Sequence, residues 1–172
     1  MTIAIVMAAL WGIAVAGIGA GMTSLTPWYH ALRRPAWQPP DWLFGPAWSV
    51  ILTLASVAAY LAWRAAQNDG ERRLVIVLFL ANGALNLLWS PLFFRYRRPD
   101  WALAEVPFLW LSILVPIVAL APISSTASLL LVPYLLWVSF AAVLNVAIVR
   151  LNRPFGAAGA AGAETRTRHE LR

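Results

Sequence analysis

Residues Thr26–Trp48 read TPWYHALRRPAWQPPDWLFGPAW, the one long connection in a chain otherwise made of apolar runs joined by short links. The stretch sets Trp28, Tyr29, Trp37, Trp42, Phe44 and Trp48 among Pro27, Pro35, Pro39, Pro40 and Pro46. Proline fixes its own φ and disfavours helix in the residue before it, so Pro35 and the Pro39–Pro40 pair predict a backbone held extended or turned. Rings carried on a stiff backbone are presented at small entropic cost, which suits recognition. Anchoring at the level of lipid headgroups, where Trp and Tyr are enriched, accounts for the composition alone better. On either reading the stretch is a structured cap between two apolar spans.

The rest of the chain agrees with a bilayer. Of 172 residues, 61% are apolar and 12% charged, with mean hydropathy +0.71. A soluble domain carries roughly 45–50% apolar and 25% charged residues, so this is predicted to be an all-α membrane protein. Five runs come close to the roughly 20 residues that a bilayer core demands: 2–22, 44–64, 74–94, 101–121 and 128–149. The expected architecture is a bundle of five transmembrane helices with a long structured loop between the first and second. The first run lacks a charged leader and a small-residue cleavage site and reads as a retained span. Its Ala8/Gly12/Ala16 and Gly17/Gly21 pairs predict close helix packing. Residues 1–154 are read as the transmembrane domain, and 155–172 (FGAAGAAGAETRTRHELR) as a disordered tail.

The net charge is +6, and all thirteen basic residues are arginine. Ten (Arg33, Arg34, Arg95, Arg97, Arg98, Arg150, Arg153, Arg166, Arg168 and Arg172) fall on the side of the first loop, third loop and C-terminus; Arg64, Arg72 and Arg73 fall on the other. The positive-inside rule therefore puts the first loop and the C-terminus on the cytoplasmic side, in an integral protein expected in a bacterial cell membrane. The topology explains the charge, so no nucleic-acid partner is expected. Cysteine is absent, which removes disulfide and thiolate chemistry.

Polar residues inside spans seek a partner, a cavity or a pathway. On the third span Asn82, Asn86, Trp89, Ser90 and Phe93 recur at helical spacing. On the fifth, Tyr134, Trp137, Ala141 and Asn145 do likewise, as do Trp48, Ser49, Leu52, Ser56, Tyr60 and Trp63 on the second. Three such faces can line a pocket under the loop, or the amides can serve only as hydrogen-bonding glue between helices. Glu105, the one carboxylate expected within a span, is read as structural, with Arg97 or Arg98 as its partner near the start of the fourth helix.

The spacing Trp28-Tyr29-x-x-Leu32-x-x-Pro35-x-Trp37-x-Pro39-Pro40-x-Trp42-x-Phe44-x-x-x-Trp48 resembles the first-loop signature of the tryptophan-rich sensory protein family, also called the translocator protein or peripheral-type benzodiazepine receptor family. Asn86-x-x-Trp89-Ser90-Pro91-x-Phe93-Phe94 and Pro133-Tyr134-x-x-Trp137-x-x-Phe140-Ala141-x-x-Leu144-Asn145 resemble its third and fifth helices. The resemblance implies a five-helix membrane protein, homodimeric, that binds porphyrins such as protoporphyrin IX in a pocket capped by the first loop. Carried over position by position, it implies ligand contacts from Tyr29, Trp37, Pro40, Trp48, Asn86, Trp89, Trp137 and Ala141. Arg33 and Arg34 stand where a ligand's propionates can reach. Val146 follows Leu144-Asn145 where the animal members' cholesterol motif has Tyr, which puts sterol recognition by that motif in doubt.

Catalytic motifs are missing: there is no Walker loop, GxGxxG or HExxH, and only two histidines are present. A lone loop histidine such as His30 is more often a polar surface residue than a haem ligand, so no metal and no required cofactor is expected; a porphyrin enters as ligand. The leading function is that of a porphyrin-binding sensor regulating tetrapyrrole or stress responses. The alternatives are a light- and oxygen-dependent porphyrin-degrading enzyme, with Trp48 and Trp137 as electron donors, and a transporter of porphyrin or another amphiphile.

Overall fold

The computed structural model describes residues 2–155; the tail expected from 155 onward therefore lies, Phe155 apart, outside the described residues. Every described element is a helix: α1 (Thr2–Met22), α2 (Pro27–Ala31), α3 (Asp41–Ala65), α4 (Asp69–Ser90) continued by a π-helical turn (Pro91–Arg95), α5 (Pro99–Leu120), α6 (Ser125–Leu130) and α7 (Val132–Asn152). Among the described residues, five helical segments are long and apolar enough to cross a membrane: Ile3–Met22, Asp41–Ala65, Asp69–Arg95, Pro99–Leu120 and Ser125–Asn152.

The helices outrun the apolar runs because polar residues close their ends. Asn68 caps α4 by accepting from the Glu71 N–H at 2.9 Å, while Glu71 reaches back to the Gln67 N–H at 2.7 Å. This is a capping box displaced by one residue. Ser124 accepts from the Ala127 N–H at the start of α6. Asp41 occupies the first turn of α3, where the helix dipole favours an anion. The quoted aromatic stretch is therefore loop only as far as Pro40; Trp42, Phe44 and Trp48 ride on α3. The fifth span is broken at Leu131, since Pro133 has no N–H for the Leu129 carbonyl and its ring obstructs a continuous ladder. Pro91 opens the π turn, closed by Tyr96 N–H to Pro91 C=O at 2.9 Å.

Around the bundle the order is α1, α3, α6 with α7, α5, α4 and back to α1. Ala55, Ala58 and Ala62 of α3 are completely covered, and their small size lets α3 pack close against its neighbours in a core shared with Phe79, Leu109, Ile113, Tyr134 and Val138. Ile3, Val57, Leu80, Phe108, Val118, Leu129 and Leu136 are exposed around the outside, as a lipid-facing surface requires. α1 docks through two glycines. A Cβ on Gly12 would stand 3.4 Å from the Leu52 carbonyl and collide with the Ser56 hydroxyl, and one on Gly83 would lie 2.7 Å from Trp11 Nε1. Gly17 and Gly21 have nothing within 4 Å, so of the glycines in the expected small-residue pairs Gly12 alone is pressed against a neighbouring helix.

Candidate functional site

The first loop is pinned to the bundle by two knots. In one, the Tyr29 hydroxyl donates to Asp41 Oδ1 at 2.8 Å, Arg34 Nη1 reaches both Asp41 oxygens at 3.1 Å, and the Arg34 guanidinium lies 5.0 Å from the Tyr29 ring centroid. Gln38 Nε2 adds weaker contacts to both partners. In the other, the Arg33 N–H donates to Asn152 Oδ1 and Asn152 Nδ2 donates to the Arg33 carbonyl, each at 2.8 Å, tying the loop to the end of α7. Prolines limit what the loop loses in entropy when these bonds form.

Burial, and then the hydrogen bond to Asp41, raise the Tyr29 phenol above its ordinary 10.0. Folding therefore holds the phenolic proton more tightly than the unfolded chain does. The knot's contribution is complete below about pH 10 and is lost as the pH rises through the higher folded value. Tyr29→Phe is expected to cost about 1.5–3 kcal/mol of loop docking, the worth of a hydrogen bond to a charged group. Faster amide exchange across residues 27–40 checks it; unchanged protection there would deny the knot its role.

Beneath the loop, rings meet from three segments. Trp37 of the loop lies 5.9 Å from Phe140, Phe44 of α3 lies 5.7 Å from Trp137, and Trp137 lies 5.6 Å from Phe140. Trp48 stands edge-on to Tyr134 at 5.9 Å, and the Tyr134 hydroxyl accepts from Asn86 Nδ2 at 2.7 Å. The Trp137 indole N–H is buried among these groups with no hydrogen-bond partner. A buried donor left unpaired costs about 1–3 kcal/mol, so this atom stands ready for an acceptor.

A second aromatic group flanks the first. Trp89 stacks on Phe93 at 5.0 Å, Trp28 meets Phe93 at 6.2 Å, and Tyr29 meets Phe94 at 5.6 Å. The π turn sets Phe93 and Phe94 on this seam, since the residue it adds to the turn shifts the face they present.

The expected site residues thus divide. Trp37, Trp48, Asn86 and Trp137 belong to the network under the loop, whereas Tyr29 and Trp89 belong to the flanking group. Ala141 follows Phe140 on α7 and is half-buried. Pro40 borders a shallow depression of about 290 Å³ with Arg34, Pro35, Gln38, Pro39 and Asp41. Trp42 is 71% exposed, and His30 is exposed beside Tyr29. Arg34 is occupied by Asp41, so of the two loop arginines Arg33 alone keeps its guanidinium outside a described ion pair.

The remaining polar residues join helices. Asn82 donates to Ser112 at 2.9 Å, and the Asn145 amide, oriented so that both its atoms are satisfied, donates to the Pro99 carbonyl at 3.1 Å and accepts from Leu103 N–H at 3.2 Å. Glu105 is not partnered as expected. Arg98 instead grips Asp100 at 2.8 and 2.6 Å, because Asp100 is two residues away whereas Glu105 lies two turns along α5 and faces inward. Hydropathy and motif spacing do not mark Gln38, Asp41 or Asn152. Polar side chains within a proline-rich loop and at a helix end were the available signal.

The arrangement can grip a flat, largely apolar molecule: ring faces and edges for stacking, one unpaired indole N–H and one amide. The TspO/MBR family pattern matches residues 3–151. The chain is 39% identical over 140 residues to the tryptophan-rich protein TspO of Chlorobaculum tepidum, covering 78% of this chain and 89% of that one. It is 38% identical over 125 residues to the tryptophan-rich sensory protein of Cereibacter sphaeroides (73% and 77% covered). To the translocator protein of Homo sapiens it is 34% identical over 126 residues (73% and 75% covered).

Proposed function

The chain belongs to the TspO/MBR family, and from that premise we propose that it is a membrane receptor for porphyrins such as protoporphyrin IX, bound at the aromatic network under the first loop and regulating tetrapyrrole or stress responses. The observation that carries the reading is the unpaired Trp137 indole N–H set among Phe44, Phe140 and the Trp48–Tyr134–Asn86 chain. A porphyrin brings what this group lacks: a wide π face for the rings and carboxylates able to accept from the indole. The rings fill their own interface, so entry requires Trp37 and Phe44 to part from Phe140 and Trp137. The stretch able to allow it is 35–40, which carries the half-exposed Trp37, since Trp28, Tyr29 and Leu32 are packed in an apolar cluster with Phe93, Leu144 and Ile148. We place the loop and the C-terminus on the cytoplasmic side, and the receptor as a homodimer. Gly83 packs on Trp11 of its own chain, which leaves the exposed Ala81 and Ala84 as the small residues on α4 open to a second copy.

The test is a protoporphyrin titration of the purified protein, in the dark and under illumination, followed by tryptophan fluorescence and product analysis. Saturable quenching with unchanged pigment in both arms is the expected result. Absence of saturable quenching overturns the reading. A new pigment formed only under light and oxygen, and lost in Trp48→Phe/Trp137→Phe, would replace the receptor by a degrading enzyme. Net flux into protein-containing vesicles in the dark would replace it by a transporter.

A further inference from the structure

At the loop side of the bundle the described charges do not balance, and the imbalance is local. Both half-buried carboxylates there are already taken: Asp41 by Arg34 and Asp100 by Arg98. Arg33, Arg95, Arg97, Arg150 and Arg153 are exposed and form no ion pair among the described residues. Three separate segments bring them to one end: the first loop, the link from α4 to α5, and the end of α7. The Arg33–Asn152 pair stitches the first of these to the third, and the Tyr29–Phe94 contact stitches it to the second. Arg97 adopts a left-handed backbone with φ 53°, which residues other than glycine seldom do. The turn around it is closed by Tyr96 N–H to Pro91 C=O at 2.9 Å and Arg98 N–H to Leu92 C=O at 3.1 Å. The opposite end differs: of its Arg64, Arg72 and Arg73, Arg72 pairs with Asp69, and Arg64 and Arg72 pack near the rings of Tyr60 and Trp63.

We propose that the loop-side end of the bundle is a binding surface for anionic phospholipid headgroups, formed by Arg33, Arg95, Arg97, Arg150 and Arg153. Depth decides in favour of a lipid over a soluble partner. Exposed Trp42, Tyr96 and Trp101 surround the same end, and interfacial aromatics of this kind lie at the headgroup level. Arginine forks match phosphate oxygens in geometry as well as in charge. With no exposed carboxylate at this end left among the described residues to neutralise them, these guanidinium groups take the phosphodiester as counter-ion. The surface stands apart from the ring network and does not depend on what that network binds.

The experiment uses the full chain reconstituted in phosphatidylcholine vesicles, with spin-labelled phosphatidylglycerol or spin-labelled phosphatidylcholine as the probe. The motionally restricted fraction of each gives the relative association. Phosphatidylglycerol is expected to be preferred, with a ceiling of about fivefold for each arginine engaged. The preference should shrink in high salt. Arg95→Gln/Arg97→Gln/Arg150→Gln is expected to cut it down to what Arg33 and Arg153 supply, while Arg64→Gln/Arg73→Gln at the other end leaves it as it was. Should the triple variant lose its helical circular dichroism, Arg97→Gln and Arg150→Gln singly are each expected to lower the preference severalfold. Equal restriction of the two lipids by the natural chain, or a preference undiminished in the folded loop-side variants, overturns the assignment.

Discussion

Trp137→Ala is expected to weaken protoporphyrin binding by about 2–3 kcal/mol, or roughly 30- to 150-fold in Kd. The indole stands between Phe44 at 5.7 Å and Phe140 at 5.6 Å, so its removal takes a stacking face from the centre of the network and leaves two rings without their common neighbour. It also removes the one buried indole N–H that lacks a partner. The two contributions separate by a second substitution. Trp137→Phe keeps a ring of similar thickness but no donor, and is expected to cost about 1 kcal/mol, or roughly fivefold. Asn86→Ala acts through Tyr134, whose buried hydroxyl loses its 2.7 Å donor, and is expected to fall between the two. Quenching titrations measure all three, with near-ultraviolet circular dichroism to confirm that the aromatic packing persists. If Trp137→Ala and Asn86→Ala stay folded and bind protoporphyrin as the natural chain does, the ligand does not sit here.

Gly83→Ala is expected to destabilise the bundle by about 1–3 kcal/mol, and Gly83→Leu by more, although alanine ordinarily favours a helix over glycine. The reason is the 2.7 Å that would separate the new Cβ from Trp11 Nε1, with Val15 Cγ2 at 3.3 Å behind it. Trp11 cannot simply turn away, because its indole donates to the Phe79 carbonyl at 2.9 Å and its ring stands edge-on to Phe79 at 5.5 Å. Displacing it loses the bond and prises α1 from α4. Gly17→Ala is the control: nothing lies within 4 Å, so it is expected to be neutral or slightly stabilising. Thermal unfolding in detergent distinguishes them, and Trp11→Phe combined with Gly83→Ala should recover part of the loss. Equal midpoints for the Gly83 and Gly17 variants would show that the contact between α1 and α4 carries no load.

Much of this could be read before any coordinates. Apolar runs of bilayer length, arginines gathered on alternate links and a proline-stiffened aromatic connection all follow from local chemistry, and each implies its structural consequence without reference to the rest of the chain. The ends of the helices were less legible. Asp41, Asn68 and Ser124 count as polar in a hydropathy scan, yet each belongs to its helix because it satisfies backbone N–H groups or faces the positive end of the dipole.

Partnership was harder still. Asn82, Asn86 and Asn145 look alike along the sequence, as three amides inside apolar helices. One binds Ser112, one the Tyr134 hydroxyl and one the backbone at the start of α5. Arg33 and Arg34 are adjacent, yet one guanidinium is locked by Asp41 and the other is exposed.

The sequence by itself determined that this chain is a five-span helical membrane protein with a proline-rich aromatic first loop, because hydrophobic length, charge placement and proline act locally. Only the tertiary structure decided that Gly83 is a seat for Trp11, that Asn86 answers the Tyr134 hydroxyl, and that Trp137 keeps an unpaired donor under the cap. Those outcomes depend on which helix faces which and at what height. Packing between distant segments sets that, and side-chain spacing along one helix cannot.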